Sequence, residues 1–473
     1  MATGDAHLIV VARPGGAGAR VERAIAAAGV RSRPVFGETP ERLRRDARRG
    51  RDLSHYYRVH GSPKSLDALM RRLRKLDLVE AAFGTSPIGL PAVPPHMKAR
   101  KDPPPAVTPN FLRFQRYLEA GPVGVDARHA WSLPGGRGAG VKIVDIEGGW
   151  RFSQEDLLQH QGGIVGGHAL RDEGWVSHGT AVAGVLGGDR TDFGVTGICP
   201  DAAIFGFAAF DSLGRHDTAD AIRLAAARLG PGDIILIELH KAGPRARTDP
   251  KLTGDPGSIP IEWWPHNFEV IRDATMRGII VVEAAGNGHE DLDDPIYDRL
   301  PGKSFSREDW QNPFNPSHRH DSGAIIVGAG APPSGINRWD PDPLNPGGDY
   351  GPTASRLDFS NHGKRVDVQA WGKAVATCGY GTLQGGPHTK NRWYTGRFGG
   401  TSSAAAIVAG VLACLQGIRL KRKQPPLTPR AARRLLRTTG LRQSHGPDAP
   451  AAERIGRLPD LRQLIAAMDD EAG

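Results

Sequence analysis

Four short segments, far apart in the chain, each carry a side chain that can move a proton or make a bond. "VKIVD" ends in Asp145. "WVSHGTAVAGVLGG" (175–188) carries His178. "IIVVEAAGNG" (279–288) sets Asn287 between Gly286 and Gly288. "FGGTSSAAAIVAG" (398–410) places Ser402 just after Gly-Gly-Thr. A carboxylate, an imidazole, a carboxamide and a hydroxyl are the parts for acyl transfer by a serine nucleophile. Taken singly, each has a structural reading. Asp145 suits a turn after a strand, His178 a satisfied buried histidine, Asn287 a left-handed turn, and Ser402 a helix N-cap. Their joint occurrence favours chemistry. The run after Ser402 supports this, because it lacks the polar face of an ordinary surface helix.

The elements that would position these groups come from the apolar pattern. Continuous apolar runs recur at 140–146, 202–210, 233–239, 278–286, 323–330 and 365–372. Runs without alternation suit strands buried on both faces of a parallel sheet. The stretches 218–230 and 267–278 suit crossover helices, and 428–439 and 458–469 suit two more. This is an α/β domain with a mostly parallel sheet, and in such sheets ligands bind at the carboxyl ends of the strands. His178 is placed just before a small-residue helix and Ser402 at the start of another. Residues 288–322 and 331–362, rich in Asp, Pro, Asn and Gly, read as long surface loops.

The first 89 residues have a different texture. A strand at 7–12, a helix at 20–28 closed by Gly29, a β-rich stretch at 54–60, a helix opened by Ser62-Pro63, and a strand at 78–83 follow one another. Leu66, Leu69, Met70, Leu73 and Leu76 share one face of the second helix. The order suggests a small ferredoxin-like unit. Residues 90–109, rich in Pro and basic residues, read as a linker, and 110–473 as the main domain.

Composition bounds the rest. The chain has 473 residues, 39% hydrophobic and 24% charged, with a formal charge of +10. No window holds about 18 unbroken apolar residues, so no membrane partner is expected. The basic runs 42–51 and 419–424 lack interleaved aromatics, so a solvated surface is favoured over nucleic-acid binding. Cys199, Cys378 and Cys414 form neither a disulfide framework nor a metal-ligand spacing. With no Sec-type signal in the opening residues, a cytoplasmic location is expected, and non-classical export is left open.

The chain order Asp, His, Ser, without a G-x-S-x-G elbow, separates this set from chymotrypsin-like enzymes and α/β-hydrolases. "SHGTAVAGVLGG", "GGTSSAAAIVAG", "AAGNG" and "VKIVDIEGG" resemble the His, Ser, oxyanion-hole Asn and Asp motifs of the subtilisin-like serine proteases. The resemblance spans roughly 110–470. It implies a three-layer α/β/α domain and a serine endopeptidase acting on polypeptides, with catalytic Asp145, His178 and Ser402 and an oxyanion donor in Asn287. It implies substrate contacts from Glu238, Leu239 and His240 and from the facing wall Ala284, Ala285 and Gly286. It also implies that residues 1–89 are a propeptide-like domain, an intramolecular inhibitor in a zymogen, with maturation in the linker. A monomer without a required cofactor is expected. Structural calcium is left open, with "EDLDDP" (290–295) the richest acidic loop but without regular ligand spacing.

Three departures stand out. The acid motif, usually Asp-Ser/Thr-Gly, reads Asp145-Ile146-Glu147-Gly148. The proline of the Ser motif is Ala406. The strand that usually ends in Ser-x-Gly reads Glu238-Leu239-His240. Glu238 suits either a basic P1 side chain or a structural carboxylate. A catalytically silent binding scaffold on the same fold is the alternative function.

Overall fold

The structure is a computed structural model. It describes residues 7–13, 16–36, 53–85, 88–89, 97–247, 254–299, 311–317, 320–336, 338–446 and 450–470. The basic run 42–51, residues 90–96 of the linker and part of the loop 288–322 lie outside the described residues.

The N-terminal unit contains β1 (His7–Ala12), α1 (Gly18–Ala26), β2 (Ser32–Pro34), β3 (Tyr56–His60), α2 (Pro63–Leu73) and β4 (Val79–Thr85). Its antiparallel sheet runs β2-β3-β1-β4. Local chemistry sets the helix ends. Ser62 Oγ accepts from the Ser65 amide ahead of Pro63 at the first turn, and Gly29 takes a left-handed φ of +76° after α1. β1 is buried along its whole length because its sheet is covered on both faces. Leu8 and Val10 pack with Val21, Ile25, Leu66, Leu69 and Leu73 of the unit's own helices. Ile9 and Val11 face the other way, into a cluster shared with the main domain. A short strand β5 (Ile88–Gly89) follows.

The main domain is built on β6 (Lys142–Glu147), β7 (Gln161–Gly166), α3 (Glu173–Gly187), β8 (Ala203–Ala208), α4 (Thr218–Ala226), β9 (Ile234–Ile237), β10 (His240–Ala242), β11 (Ser258–Pro260), α5 (Pro265–Met276), β12 (Ile280–Ala284), β13 (Ile325–Gly330), β14 (Val368–Trp371), β15 (Val375–Cys378), β16 (Tyr394–Phe398), α6 (Gly400–Lys421), α7 (Pro429–Thr438) and α8 (Leu461–Asp470). Seven strands form a parallel sheet in the order β14-β13-β12-β9-β6-β8-β7. Alternate side chains divide between its faces. Ile143 and Leu236 pack with α3 and α6, whereas Val144, Ile235 and Ile237 pack with α4 and α5. This is the expected three-layer α/β/α domain.

α6 is long and apolar enough to cross a membrane by composition, yet 89% of its apolar window is buried inside the domain. The run 419–424 lies at the carboxyl end of α6, where Arg419 and Lys421 complement the helix dipole. Arg422 pairs with Asp469 at 2.6 Å.

The N-terminal unit sits on α4 and α5. Its Ile9, Val11, Ala81 and Phe83 join Ala221, Ile222, Val270 and Ile271 in one apolar cluster. Around this apolar contact lies a group of bases. Arg58 pairs with Asp217 at 2.6 Å, the His7 ring lies 5.2 Å from His216 and 5.4 Å from His60, and Phe83 lies 5.7 Å from His266. Burial first, and Arg58 second, pushes the Lys241 ammonium down to about 7. Burial first, then Lys241 and Arg58, pushes His266 well below the usual imidazole range.

The docked state therefore binds fewer protons than an undocked state in which these groups titrate normally, at about 10.4 for Lys and about 6.5 for His. Docking weakens as pH falls from about 10 towards 7 through Lys241, and weakens further below about 6.5 through His266. In full-length Ser402→Ala protein, amide exchange in β1 and β4, corrected for intrinsic rates, should be slowest near pH 9 and fastest near pH 5. A flat or inverted profile would contradict this assignment.

Candidate active site

β6 and β9 are neighbours in parallel register, with Asp145 beside Leu236 and Ile146 beside Ile237. Just past this register Glu238 donates its amide to the Ile146 carbonyl at 3.4 Å, which brings its carboxyl near that of Glu147 at the carboxyl end of the sheet. Asp145 lies on the same face as Glu147, two residues and roughly 6–7 Å further back along the strand.

His178 lies in the second turn of α3, rather than before the helix as the sequence suggested. Its Nδ1 is 2.5 Å from Oε2 of Glu147. Glu147 Oε1 accepts from the Gly148 amide at 3.0 Å, so both oxygens are held. The edge of the His178 ring meets Phe398 at 5.5 Å, and both partners of the His–Glu contact are buried.

The carboxylate that meets His178 is therefore Glu147, which corrects the expectation for Asp145. Asp145 Oδ2 accepts from the Trp150 indole at 2.8 Å, and its Oδ1 has no hydrogen-bond partner. Its neighbour on β8 is Gly206, where a Cβ would come within 2.8 Å of the Trp150 ring. The absent side chain makes room for that indole. Burial first, then the nearby Glu147, pushes the Asp145 carboxyl well above the usual carboxylate range. Spacing could have revealed this. The glycine two places after the acid of a D-x-G motif is matched by Gly149 after Glu147, not by any glycine two places after Asp145.

Ser402 lies in the first turn of α6, buried but for 6% of its surface. Its amide is among those that have no acceptor within the helix. Gly400 takes φ +90°, and a Cβ there would meet Asn287 Nδ2 at 3.3 Å. Asn287 Oδ1 accepts from the Thr401 amide at 2.9 Å and from Thr401 Oγ1 at 3.0 Å. These two bonds fix the carboxamide, leaving Nδ2 as its donor face beside the start of α6. Gly286, at φ +94°, donates its amide to Thr401 Oγ1 at 3.1 Å.

No hydrogen bond joins Ser402 Oγ to His178 among the described residues. Contacts of this kind commonly close only around a substrate. Burial first, then Asp145 and Glu147, pushes the Glu238 carboxyl well above the usual carboxylate range. Neither buried Glu238 carboxyl oxygen has a hydrogen-bond partner.

The residues expected to hold substrate separate by face. Leu239 and Ala285 are buried in the cluster that also takes up Ile88 of the N-terminal unit, and Ala284 lies in the opposite one. His240 Nε2 is 3.0 Å from Asp255. The sequence reading did not anticipate a three-stranded ribbon, β11-β10-β5. In it Gly89 pairs antiparallel with His240 and Ile88 with Lys241. From Ile88 to Gly89 the chain advances towards the Glu238 end of this segment.

No group of three His, Cys, Asp or Glu side chains is placed to hold a metal among the described residues. In 290–295, Asp294 pairs with Arg245 at 2.5 Å, Glu290 accepts from Tyr297 at 2.5 Å, and Asp293 accepts from the Lys364 amide at 3.0 Å. The loop thus does not fit a calcium site.

The subtilase family model matches residues 166–453, which include His178, Asn287 and Ser402 but begin after β6. Subtilisin E of Bacillus subtilis strain 168 is 26% identical over 320 residues, covering 67% of this chain, and this chain spans 66% of that relative's length. The epidermin leader peptide processing serine protease EpiP of Staphylococcus aureus has a similar structure, with a TM-score of 0.57 at 17% identity over 98% of this chain and 99% of that one. Fervidolysin of Fervidobacterium pennivorans, a keratinolytic enzyme related to subtilisin, has a TM-score of 0.56 at 17% identity over 98% of this chain and 61% of that one. The structural neighbours share the fold, and the family match covers more than half of the sequence: the chain belongs to the subtilase family of serine proteases.

Proposed function

We propose that this subtilase is an endopeptidase with a Glu147–His178–Ser402 triad and Asn287 as oxyanion donor. The observation that carries the reading is the bond from Glu147 to His178 Nδ1, which leaves Nε2 as the nitrogen that exchanges a proton with Ser402. His178 takes the Ser402 proton as Oγ attacks the peptide carbonyl, and returns it to the leaving amine. Glu147 fixes the tautomer and stabilises the imidazolium. The oxyanion receives Asn287 Nδ2–H and the Ser402 amide, aided by the partial positive charge at the start of α6. Water repeats the sequence on the acyl-enzyme.

In the same reading residues 1–89 act as an intramolecular inhibitor. Support comes from β5, which adds as a strand to β10, the edge along which an extended polypeptide would bind. Cutting between 90 and 109 would then free the edge.

A fluorophosphonate probe should label the wild type and not Ser402→Ala, and a new N-terminus between 90 and 110 should arise only in the wild type. Protein that stays unlabelled and cleaves no peptide after removal of residues 1–107 would favour the silent-scaffold alternative. Glu147→Gln should lower kcat by roughly 10³–10⁴, because the amide stabilises the wrong tautomer. Asp145→Asn, which retains an acceptor for Trp150, should change kcat by less than about tenfold. The reverse ranking would return the role to Asp145. Asn287→Ala should cost on the order of 10²–10³ in kcat, the range known for one such donor in subtilisin.

A further inference from the structure

Asn287 stands between Gly286 and Gly288, the residue type with the most backbone freedom to lose. Thr401 holds its carboxamide through Oδ1, on the side of α6. A donor aimed at a transient charge has to be held in place before the charge appears, so the main chain of Asn287 needs fixing as well. The segment just ahead of β11 does this. The Asp255 amide donates to the Asn287 carbonyl at 3.0 Å, and the Gly257 amide to the Gly288 carbonyl at 2.9 Å. Gly254, at φ +84°, comes in so close that a Cβ there would lie 2.5 Å from the same Asn287 carbonyl oxygen and 3.0 Å from Asn287 Cβ. On the other side Asn361 Oδ1 accepts from the Gly288 amide at 3.1 Å, and its Nδ2 donates to the Ala285 carbonyl at 2.7 Å.

Asp255 is itself tied down. Its Oδ2 lies 3.0 Å from His240 Nε2. His240 is buried in β10, in register with Pro260 of β11 and Gly89 of β5. Burial works against charge on Asp255, but the bond to His240 and its charge outweigh burial and hold the carboxyl below the usual range. A continuous path of bonds thus runs from the β10 ribbon through the His240 ring and the Asp255 carboxylate to the Asp255 amide and the Asn287 carbonyl. We propose that His240 and Asp255 are positioning residues that fix the main chain of Asn287 and so hold its Nδ2–H on the oxyanion. This rests on the reading of Asn287 as oxyanion donor.

The test measures the second-order rate at which a fluorophosphonate labels the full-length chain, because the phosphoryl oxygen of the probe takes the place of the oxyanion. Asp255→Ala should lower this rate roughly 10- to 100-fold, the cost of a small displacement of a group that must meet the transition state. Asp255→Asn keeps a polar partner for His240 and should stay within about threefold of the wild type. In an Asn287→Ala background no donor is left to position, and there Asp255→Ala should cost less than about threefold. His240→Ala breaks the same bond from its other end and gives the same comparison where Asp255→Ala does not fold. Equal losses in the two backgrounds would overturn the proposal, since a loop that only stabilises the fold acts independently of the Asn287 side chain. Wild-type rates in both Asp255→Ala and His240→Ala would overturn it too. Failure of the oxyanion reading shows itself separately, as an Asn287→Ala variant that labels as fast as the wild type.

Discussion

The active site depends on how charge is shared where β6 ends and β9 leads towards β10. The parallel pairing of β6 with β9, continued by the Glu238 amide on Ile146, brings Glu147 and Glu238 close, and strand alternation puts Asp145 on the same face. Only the residue at the strand end reaches the second turn of α3, where His178 lies. Asp145 is buried against an indole instead. The glycine at 206 and the tryptophan at 150 therefore belong to the same arrangement as the Glu147–His178 pair, because they give the Asp145 carboxyl a place that does not compete for the imidazole.

Much of this was legible in the sequence, and the errors follow a pattern. The parallel strands could be read because they are continuous apolar runs, a consequence of helices on both faces. α6 could be read because a helix without a polar face has to be buried. The carboxylate that meets His178 was not picked out because residue type was weighed above spacing. An aspartate looked right, although a glycine two places on stands after Glu147 and not after Asp145. The β11-β10-β5 ribbon was missed for a different reason. Its strands are two or three residues long, and pairing between residues 88–89 and 240–241 leaves no periodic trace in either segment. Likewise, "HLIVVA" could be recognised as a strand, but its lack of alternation also meant that the N-terminal sheet needed a second covering surface. That surface is α4 and α5.

One short stretch links the site to its cover. Along 238–241 successive side chains point to opposite sides. Glu238 lies on the side of Asp145 and Glu147, and His240 Nε2 meets Asp255. Leu239 enters the apolar cluster beneath the N-terminal unit, and the Lys241 ammonium lies 5.6 Å above the Trp264 ring, where Arg58 of that unit acts on it. The edge of the same stretch is filled by Ile88 and Gly89. The candidate site, the docking face and the edge paired with β5 are thus three sides of one strand of backbone. Four consecutive residues, 238–241, therefore reach from the candidate site to the surface that carries the N-terminal unit.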